Sequence, residues 1–476
     1  MLSKKNVLFI CCDQLRCDAL GIYGNKVVKT PNIDRLFGEG VKFTNMFAAH
    51  AVCAPNRGAI ATGRWPKVNG LVFNAYVLPQ EETTMMDVFR LHGYSTYGIG
   101  KMHFSPQWLN DWDSNGRGAV SPQPEPWQFP WLGFEHCSLT EDNRIGPYAD
   151  YLKANGFDEW DDLHSFSMGK QHCTQASPYP EEHHQTTWIT DRSIDFLKSR
   201  DKSKPFFMWT SYVDPHHPFN PPAPFDTMYA PEDMPPPIYK EGEHDKRSEL
   251  FARYATGANM GHCTYDGESM TDRDWQRIKA YYYGMISLID KNVGRLVDYL
   301  KEIGEYDNTI FVFTSDHGEM LGDHHLLYKP TPFDCVTRVP FLIVGAGVDS
   351  KDVDVLCRSL EIMPTILDAA GLVKPEFMNG ISLIDHLQQS DVEPPFDNIV
   401  IENIDYHTLR DKKYRLSIYH QYSQGELYDL ENDPENFNNL WNDEAYKEIK
   451  ESMTSCLVRK IYNEMVDPKF QKVGMC

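Results

Sequence analysis

Short runs of β-branched and aromatic residues alternate with longer amphipathic segments along most of this 476-residue chain. Such alternation is typical of a mostly parallel sheet that is covered by helices. The predicted strands are Asn6–Cys12 and residues 95–99, 205–212, 309–314 and 339–344, and the predicted helices include residues 85–92, 187–198 and 272–301. The sequence therefore predicts an α/β fold in which helices sandwich one large, mostly parallel sheet.

The pattern changes after Val392-Glu393-Pro394-Pro395, where the strand-like runs become shorter and more polar. The elements predicted there are strands at residues 398–401, 414–419 and 426–430 and a helix at about residues 443–463. We therefore expect a catalytic α/β domain of residues 1–390 and a small C-terminal α+β subdomain of residues 391–476. Residues 214–237 contain nine prolines, so they are predicted to form a loop after the strand at 205–212.

The net negative charge of the chain argues against nucleic acids and anionic membranes as partners. The chain has 46 Lys and Arg against 68 Asp and Glu, a formal net charge of −22. A strongly acidic surface repels phosphate backbones and anionic membranes, and no apolar run approaches the roughly 20 residues of a membrane span. The eleven cysteines are odd in number and include the adjacent pair Cys11 and Cys12. They do not resemble a secreted disulfide framework, so we expect a cytoplasmic protein without nucleic-acid or membrane partners.

Two predicted strands end in a carboxylate. Asp13-Gln14 follows the first strand, and Asp316-His317-Gly318-Glu319 follows the strand at 309–314. A carboxylate at the carboxyl end of a buried strand is well placed to bind a hard cation. If the two strands lie side by side, both acids can reach one metal ion.

A cysteine marks the start of another predicted helix. Pro55 fits the first turn of a helix, which puts Cys53 at or near the amino-terminal cap, with Arg57 one turn further on. A helix amino terminus together with an arginine is an anion site. The alternative interpretation is an inert cysteine of the core.

Together these motifs resemble the type I sulfatases of the alkaline phosphatase superfamily. The resemblance rests on Asp13-Gln14, Cys53-x-Pro55-x-Arg57 with Thr62-Gly63-Arg64, Gly100-Lys101-Met102-His103, Pro215-His216, Asp316-His317-Gly318, Lys329 and residues 426–434. Asp13-Gln14 and Gly322-Asp323-His324-His325 are similar to choline sulfatases and phosphonate monoester hydrolases. The resemblance covers nearly the whole chain and implies a sulfuric ester hydrolase.

The resemblance also implies roles for individual residues. A maturation enzyme would oxidise Cys53 to formylglycine. One hydroxyl of its hydrated aldehyde would attack the sulfur or phosphorus and expel the alcohol; the second hydroxyl would then lose its proton, and collapse of the hemiacetal would regenerate the aldehyde and expel the inorganic ester. The residues implied as metal ligands are Asp13, Gln14, Cys53, Asp316 and His317. The residues implied in catalysis are Cys53, Arg57, Lys101, His103, His216 and Lys329, and those implied in substrate binding are Gln14, Asn74, Lys101, His216 and Lys329.

Three points stay open from the sequence. Ca²⁺ is the expected ion, but His317 occupies a position where many sulfatases use Asn, and an imidazole lets Mn²⁺ or Zn²⁺ compete. A small organic sulfate ester is the expected substrate of what we expect to be a homo-oligomer, and a phosphonate monoester or phosphodiester is the alternative. The aromatic-rich residues 104–136 either fix an irregular insertion or form an aromatic rim over the metal.

Overall fold

The computed structural model describes residues 4–105, 130–142, 144, 146–157, 174–247, 251, 267, 269–329, 331–389 and 392–467. Within these residues the strands are β1 (Asn6–Cys12), β2 (Val41–Phe43), β3 (Met46–Phe47), β4 (Ser95–Gly100), β5 (His136–Leu139), β6 (Phe206–Tyr212), β7 (Thr309–Ser315), β8 (Phe341–Val344), β9 (Lys351–Val353), β10 (Cys357–Arg358), β11 (Ile399–Glu402), β12 (Tyr406–Arg410), β13 (Tyr414–Tyr419) and β14 (Glu426–Asp429). The largest unit is an eight-stranded sheet in the order β5-β4-β6-β1-β7-β8-β2-β9.

The centre of the sheet is parallel and its far side is mixed. β1 pairs in parallel with both β6 and β7, and β6 pairs in parallel with β4. β8 runs antiparallel to both β7 and β2. The predicted mostly parallel sheet is confirmed, with β8 as a reversed strand whose direction the sequence did not reveal.

Helices cover both faces of this sheet. The described residues form the helices α1 (Pro31–Phe37), α2 (Cys53–Thr62), α3 (Pro66–Asn69), α4 (Met85–Leu91), α5 (Pro147–Ala154), α6 (Gln185–Ser199), α7 (Asp272–Glu302), α8 (Asp334–Thr337), α9 (Ile362–Ala369), α10 (Ile384–Gln388) and α11 (Lys447–Glu464), the last of which packs against the C-terminal strands. Successive side chains of β1 point to opposite faces, so Leu8 packs with α7 in one core and Phe9 packs with α9 in the other. Both faces of β1 are buried, which explains its uninterrupted apolar sequence.

The longest helix, α7, also supports a shorter one. Thr271 and Asp274 form a capping box at the start of α7. Within α7, Asp290 Oδ1 accepts hydrogen bonds from the backbone N–H groups of Asn32 (2.9 Å) and Ile33 (2.8 Å). The residue that precedes α1, Thr30, makes no side-chain cap of its own. Asp290 therefore caps α1 from a distant part of the chain.

The C-terminal part forms a four-stranded antiparallel sheet, β11-β12-β13-β14, against which α11 packs. Its apolar side chains share one cluster with Ala49, Ala59, Trp65 and Leu360 of the preceding part. Arg415 on β13 donates to the carbonyl of Pro332 at 2.9 Å. The predicted α+β character is confirmed, whereas the predicted boundary between residues 390 and 391 stays a prediction.

Most of the aromatic-rich stretch lies outside the described residues, which include only 104, 105 and 130–136 of it. Phe104, Trp131 and Phe134 are buried in the core beside β4 and β6. These three rings therefore belong to the hydrophobic core and do not form an aromatic rim over the metal. In the part of the chain that is described, no helix combines the length and the apolar character that a membrane span requires.

Candidate active site

Four adjacent strands, β4, β6, β1 and β7, direct functional residues to one edge of the sheet. Cys12 is in register with both Tyr212 and Ser315, so the residues after β1 and β7 emerge side by side. The backbone N–H of Asp13 donates to the carbonyl of Tyr212 at 3.1 Å, and that of Asp316 donates to the carbonyl of Cys12 at 3.3 Å. The carboxyl ends of parallel strands are the usual location of sites in α/β proteins, and this arrangement brings both predicted acids together.

Helix α2 delivers Cys53 to the same edge. Cys53 is the first residue of the helix, Val52 before it is extended, and every residue of α2 is buried. Asn74 accepts a hydrogen bond from the backbone N–H of Ala54 at 3.1 Å, which satisfies one of the free donors of the first turn. The predicted position of Cys53 at the positive end of a helix dipole is confirmed.

Four donor groups meet at this edge. Ligand atoms of Asp13, Cys53, Asp316 and His317 all lie within 4.8 Å of one another, and all four residues are buried. The ring of His317 approaches the carbonyl of Gly318 through Nδ1 at 2.9 Å, so Nδ1 carries the proton and Nε2 faces Cys53 Sγ at 3.1 Å. The imidazole therefore presents its lone pair to the cluster, as a metal ligand must.

Arg57 holds the two acids in position. Its Nε donates to Asp316 Oδ2 at 2.7 Å, and its NH2 group donates to Asp13 Oδ2 at 3.0 Å. Its NH1 group donates to the carbonyl of Lys101 at 2.6 Å and to Ser211 Oγ at 2.8 Å. The guanidinium thus binds the outer carboxylate oxygens and leaves Oδ1 of each acid turned towards His317 Nε2, at 3.7 Å for Asp13 and 3.6 Å for Asp316.

Two lysines add positive charge beside Cys53. Lys329 Nζ lies 2.9 Å from Cys53 Sγ, and Lys101 Nζ lies 2.7 Å from Asp13 Oδ2. Burial and the charge of Asp13 raise the pKa of the Cys53 thiol, but Lys329, Lys101 and a hydrogen bond from His103 outweigh them and lower it to about 6. Burial also raises the pKa of Asp13, yet the surrounding cations, led by Lys101, hold it well below its usual range. The pocket therefore stabilises negative charge at residue 53.

The side chain of Gln14 connects Lys329 with Glu319. Its side-chain oxygen accepts from Lys329 Nζ at 3.0 Å, and its amide nitrogen donates to Glu319 Oε2. The backbone N–H of Tyr328 donates to the other oxygen of Glu319. Gln14 has a φ of 64°, a left-handed conformation that is uncommon for residues other than glycine.

The two predicted histidines reach the pocket from separate loops. His216 follows β6 and its Nε2 lies 2.8 Å from Lys329 Nζ, while Nδ1 donates to the carbonyl of His217 at 2.6 Å. His103 follows Lys101 after β4. Gly100 precedes both with a φ of +85°, and a Cβ there would lie 1.9 Å from the carbonyl oxygen of Ser211, so only glycine fits this turn.

Three acids at the site were not predicted. Asp142 accepts from Lys101 Nζ, Glu141 Oε1 accepts from the backbone N–H of His103 at 3.0 Å, and Glu319 binds Gln14. Glu141 and Asp142 follow the short edge strand β5, which carries no strong strand pattern. Glu319 belongs to a motif that the sequence had marked, but nothing in the sequence indicates its contact with Gln14.

Comparison with known proteins identifies the family. The Sulfatase family pattern matches residues 5–372, and the pattern described as N-sulphoglucosamine sulphohydrolase, C-terminal, matches residues 322–463. The chain belongs to the sulfatase family. An arylsulfatase of Clostridium perfringens is 32% identical to this sulfatase, over 96% of this chain and 94% of the relative.

Other relatives belong to the wider superfamily. A multifunctional alkaline phosphatase superfamily protein of Trinickia caryophylli is 30% identical to this sulfatase, over 94% of this chain and 93% of the relative. The crystal structure of the phosphonate monoester hydrolase of Agrobacterium radiobacter superposes with a TM-score of 0.85 at 25% identity, over 99% of this chain and 98% of that one. The fold expected from the resemblance is confirmed, and this sulfatase is a hydrolase of sulfate esters.

Proposed function

We propose that this sulfatase hydrolyses a small organic sulfate monoester to an alcohol or phenol and inorganic sulfate, with formylglycine derived from Cys53 and one divalent metal ion. The observation that carries the proposal is the cluster of Asp13, Cys53, Asp316 and His317, with Lys329 in contact with the sulfur. An inert core cysteine would have no reason to lie among two carboxylates, an imidazole and an ammonium group.

The donor set fits a divalent cation. The ligands would be two carboxylates, an imidazole that presents Nε2, and residue 53. Gln14, whose backbone N–H donates to Asp316 Oδ1 at 3.0 Å, adds an amide oxygen beside them. Carboxylates suit Ca²⁺ and Mn²⁺, and the imidazole also suits Zn²⁺. When bound, the ion would act as a Lewis acid and lower the pKa of an oxygen on residue 53.

The surrounding residues supply the remaining requirements of the reaction. The transition state of sulfate transfer places negative charge on peripheral oxygens, and Lys101 and Lys329 offer preorganised positive charge to them. His216 Nε2 accepts from Lys329 Nζ, so a proton that passes from Lys329 to this nitrogen can be delivered to the leaving oxygen. Arg57 keeps both acids fixed and so preserves the geometry throughout the cycle.

A phosphonate monoester or phosphodiester hydrolase is the second candidate, because the phosphonate monoester hydrolase fold superposes so closely. Lys101 and His103 favour sulfate. A sulfate monoester has three peripheral oxygens that these two side chains can contact, whereas a phosphonate monoester carries a second organic substituent, which needs a neutral wall.

The maturation of Cys53 is tested by mass spectrometry of the tryptic peptide of residues 43–57. We expect the aldehyde form after co-expression with a formylglycine-generating enzyme, and the thiol form without it. Cys53→Ala should abolish turnover of an aryl sulfate, whereas Cys456→Ala, on α11, should retain it. Full activity of chain that carries only the thiol would contradict the proposal.

Metal analysis tests the ligand set. Asp316→Ala removes one ligand and leaves an incomplete shell, so the metal content after dialysis should fall from one ion per chain to near none. Asp354→Ala removes an exposed carboxylate elsewhere and should leave the content unchanged. A full equivalent of metal in the Asp316 variant would show that the ligands are wrongly assigned.

A further inference from the structure

Asp142 places a carboxylate among the cations of the pocket. Its Oδ1 accepts from Lys101 Nζ, and its Oδ2 lies 3.9 Å from His216 Nε2. About a fifth of its side chain is exposed, whereas Lys101 is fully buried. An acid in this position opposes the binding of an anionic ester, so its presence needs an explanation.

Glu141, the acid next to Asp142 in sequence, does not carry a full negative charge at neutral pH. Burial raises the pKa of Glu141 to about 8, so it is mostly neutral at pH 7. Burial also raises the pKa of Asp142, but His216 and Lys101 outweigh it and hold that carboxyl well below its usual range. Asp142 is therefore ionised at neutral pH, in contact with Lys101, whose charge faces the ester.

The pocket has a surplus of positive formal charge. Arg57, Lys101 and Lys329 contribute three positive charges, and a divalent ion would balance Asp13 and Asp316. Asp142 reduces the surplus of three to two. That reduction weakens the attraction for every anion, and it weakens it most for the anion of highest charge.

We propose that Asp142 is a specificity-determining residue that selects esters with a single negative charge and disfavours dianionic phosphate monoesters. The inference rests on the proposed function, because it takes the ester to bind at residue 53 between Lys101 and Lys329. A sulfate monoester carries one charge at any physiological pH, whereas a phosphate monoester has a second pKa of about 6 and is doubly charged above it.

The test compares three substrates with the same 4-nitrophenol leaving group. They are the sulfate and the phenylphosphonate, which are monoanions, and the phosphate, which is a dianion at about pH 8. The enzymes are matured, metal-loaded wild type, Asp142→Asn, Asp142→Ser and the control Asp195→Asn. Asp195 is an exposed acid on α6, so its substitution changes the net charge equally but away from the pocket.

In both Asp142 variants we expect the ratio of kcat/KM for phosphate to that for sulfate to rise about tenfold, because one opposing charge is gone. The ratio for phosphonate to sulfate should stay within about twofold, and the control should change neither. A purely structural role would lower all three activities together and leave both ratios unchanged, which would overturn the inference.

Two Asp142 variants are compared because a folding defect in one of them would not affect the other in the same way. Equal loss of all three activities in both variants, with native circular dichroism, also counts against a charge-selective role. If matured wild type turns over none of the substrates, the proposed function is overturned and the inference falls with it. An active wild type with unchanged ratios in the variants overturns the inference alone.

Discussion

Lys101 is the buried side chain whose charge the proposed reaction uses most directly. In the absence of substrate its ammonium group lies between Asp13 and Asp142, and it is preorganised by the turn at Gly100. Asp13 and Asp316 were predicted from their position at the carboxyl ends of strands, whereas Lys101 was predicted through the resemblance of its motif to the sulfatases. Asp142 and Glu141 were not found, because their contacts with Lys101 and His103 bridge about 40 residues of chain and depend on the pairing of β4 with β5.

Removal of the Lys101 charge should weaken transition-state binding. Lys101→Ala is expected to reduce kcat/KM for an aryl sulfate by an amount equivalent to about 2–4 kcal/mol, the scale for loss of one preorganised donor. Lys42→Ala removes a lysine that pairs with Asp352 on the far side of the sheet and should have almost no effect. A loss of less than about threefold in the Lys101 variant would show that its charge is not used.

Helices and strands were predicted accurately where an apolar repeat continues over many residues. In α7, apolar residues recur every three or four positions and so form one buried face. The predicted range of 272–301 therefore differs by only one residue from the observed Asp272–Glu302. The strands β5 and β12 were missed because their sequences, HCSL and YHTLR, lack a clear apolar alternation. The direction of β8 was missed because a strand's own residues do not specify which way its partner runs.

Helix α1 shows how one element depends on another. Asp290→Ala leaves two backbone donors of α1 without an acceptor, and we expect the free energy of unfolding to fall by about 1–3 kcal/mol. Urea denaturation measures the loss. Asp290→Asn keeps an acceptor oxygen and is the matched control, which should lose less than the alanine variant.

The difference in stability between wild type and Asp290→Asn is expected to depend on pH. Burial raises the pKa of Asp290 to about 6, so its contribution to stability is complete below about pH 4 and is lost as the pH rises through 6. The stability of Asp290→Asn relative to wild type should therefore increase between about pH 4 and pH 7. A difference that stays constant over this range would show that burial does not raise the pKa of this carboxyl.

The whole molecule is expected to unfold as one unit, despite the change of pattern near residue 390. The C-terminal sheet shares an apolar cluster with Trp65 and Leu360, and Arg410 pairs with Asp334 across the same contact. Calorimetry of the metal-free protein should therefore give one transition, with equal calorimetric and van't Hoff enthalpies. Two resolved transitions would support separate domains. Self-association and a cytoplasmic location stay predictions of the sequence.

The central position of β1 has a consequence for biosynthesis. Its two neighbours, β6 and β7, begin 200 and 303 positions later, at Phe206 and Thr309. At about 5–20 residues per second, translation leaves the nascent β1 unpaired for roughly 10–40 s. Cys53 is only 1% exposed once the fold is complete. The same delay leaves an apolar segment unpaired, and under the proposed function it is the interval in which a maturation enzyme would reach the thiol.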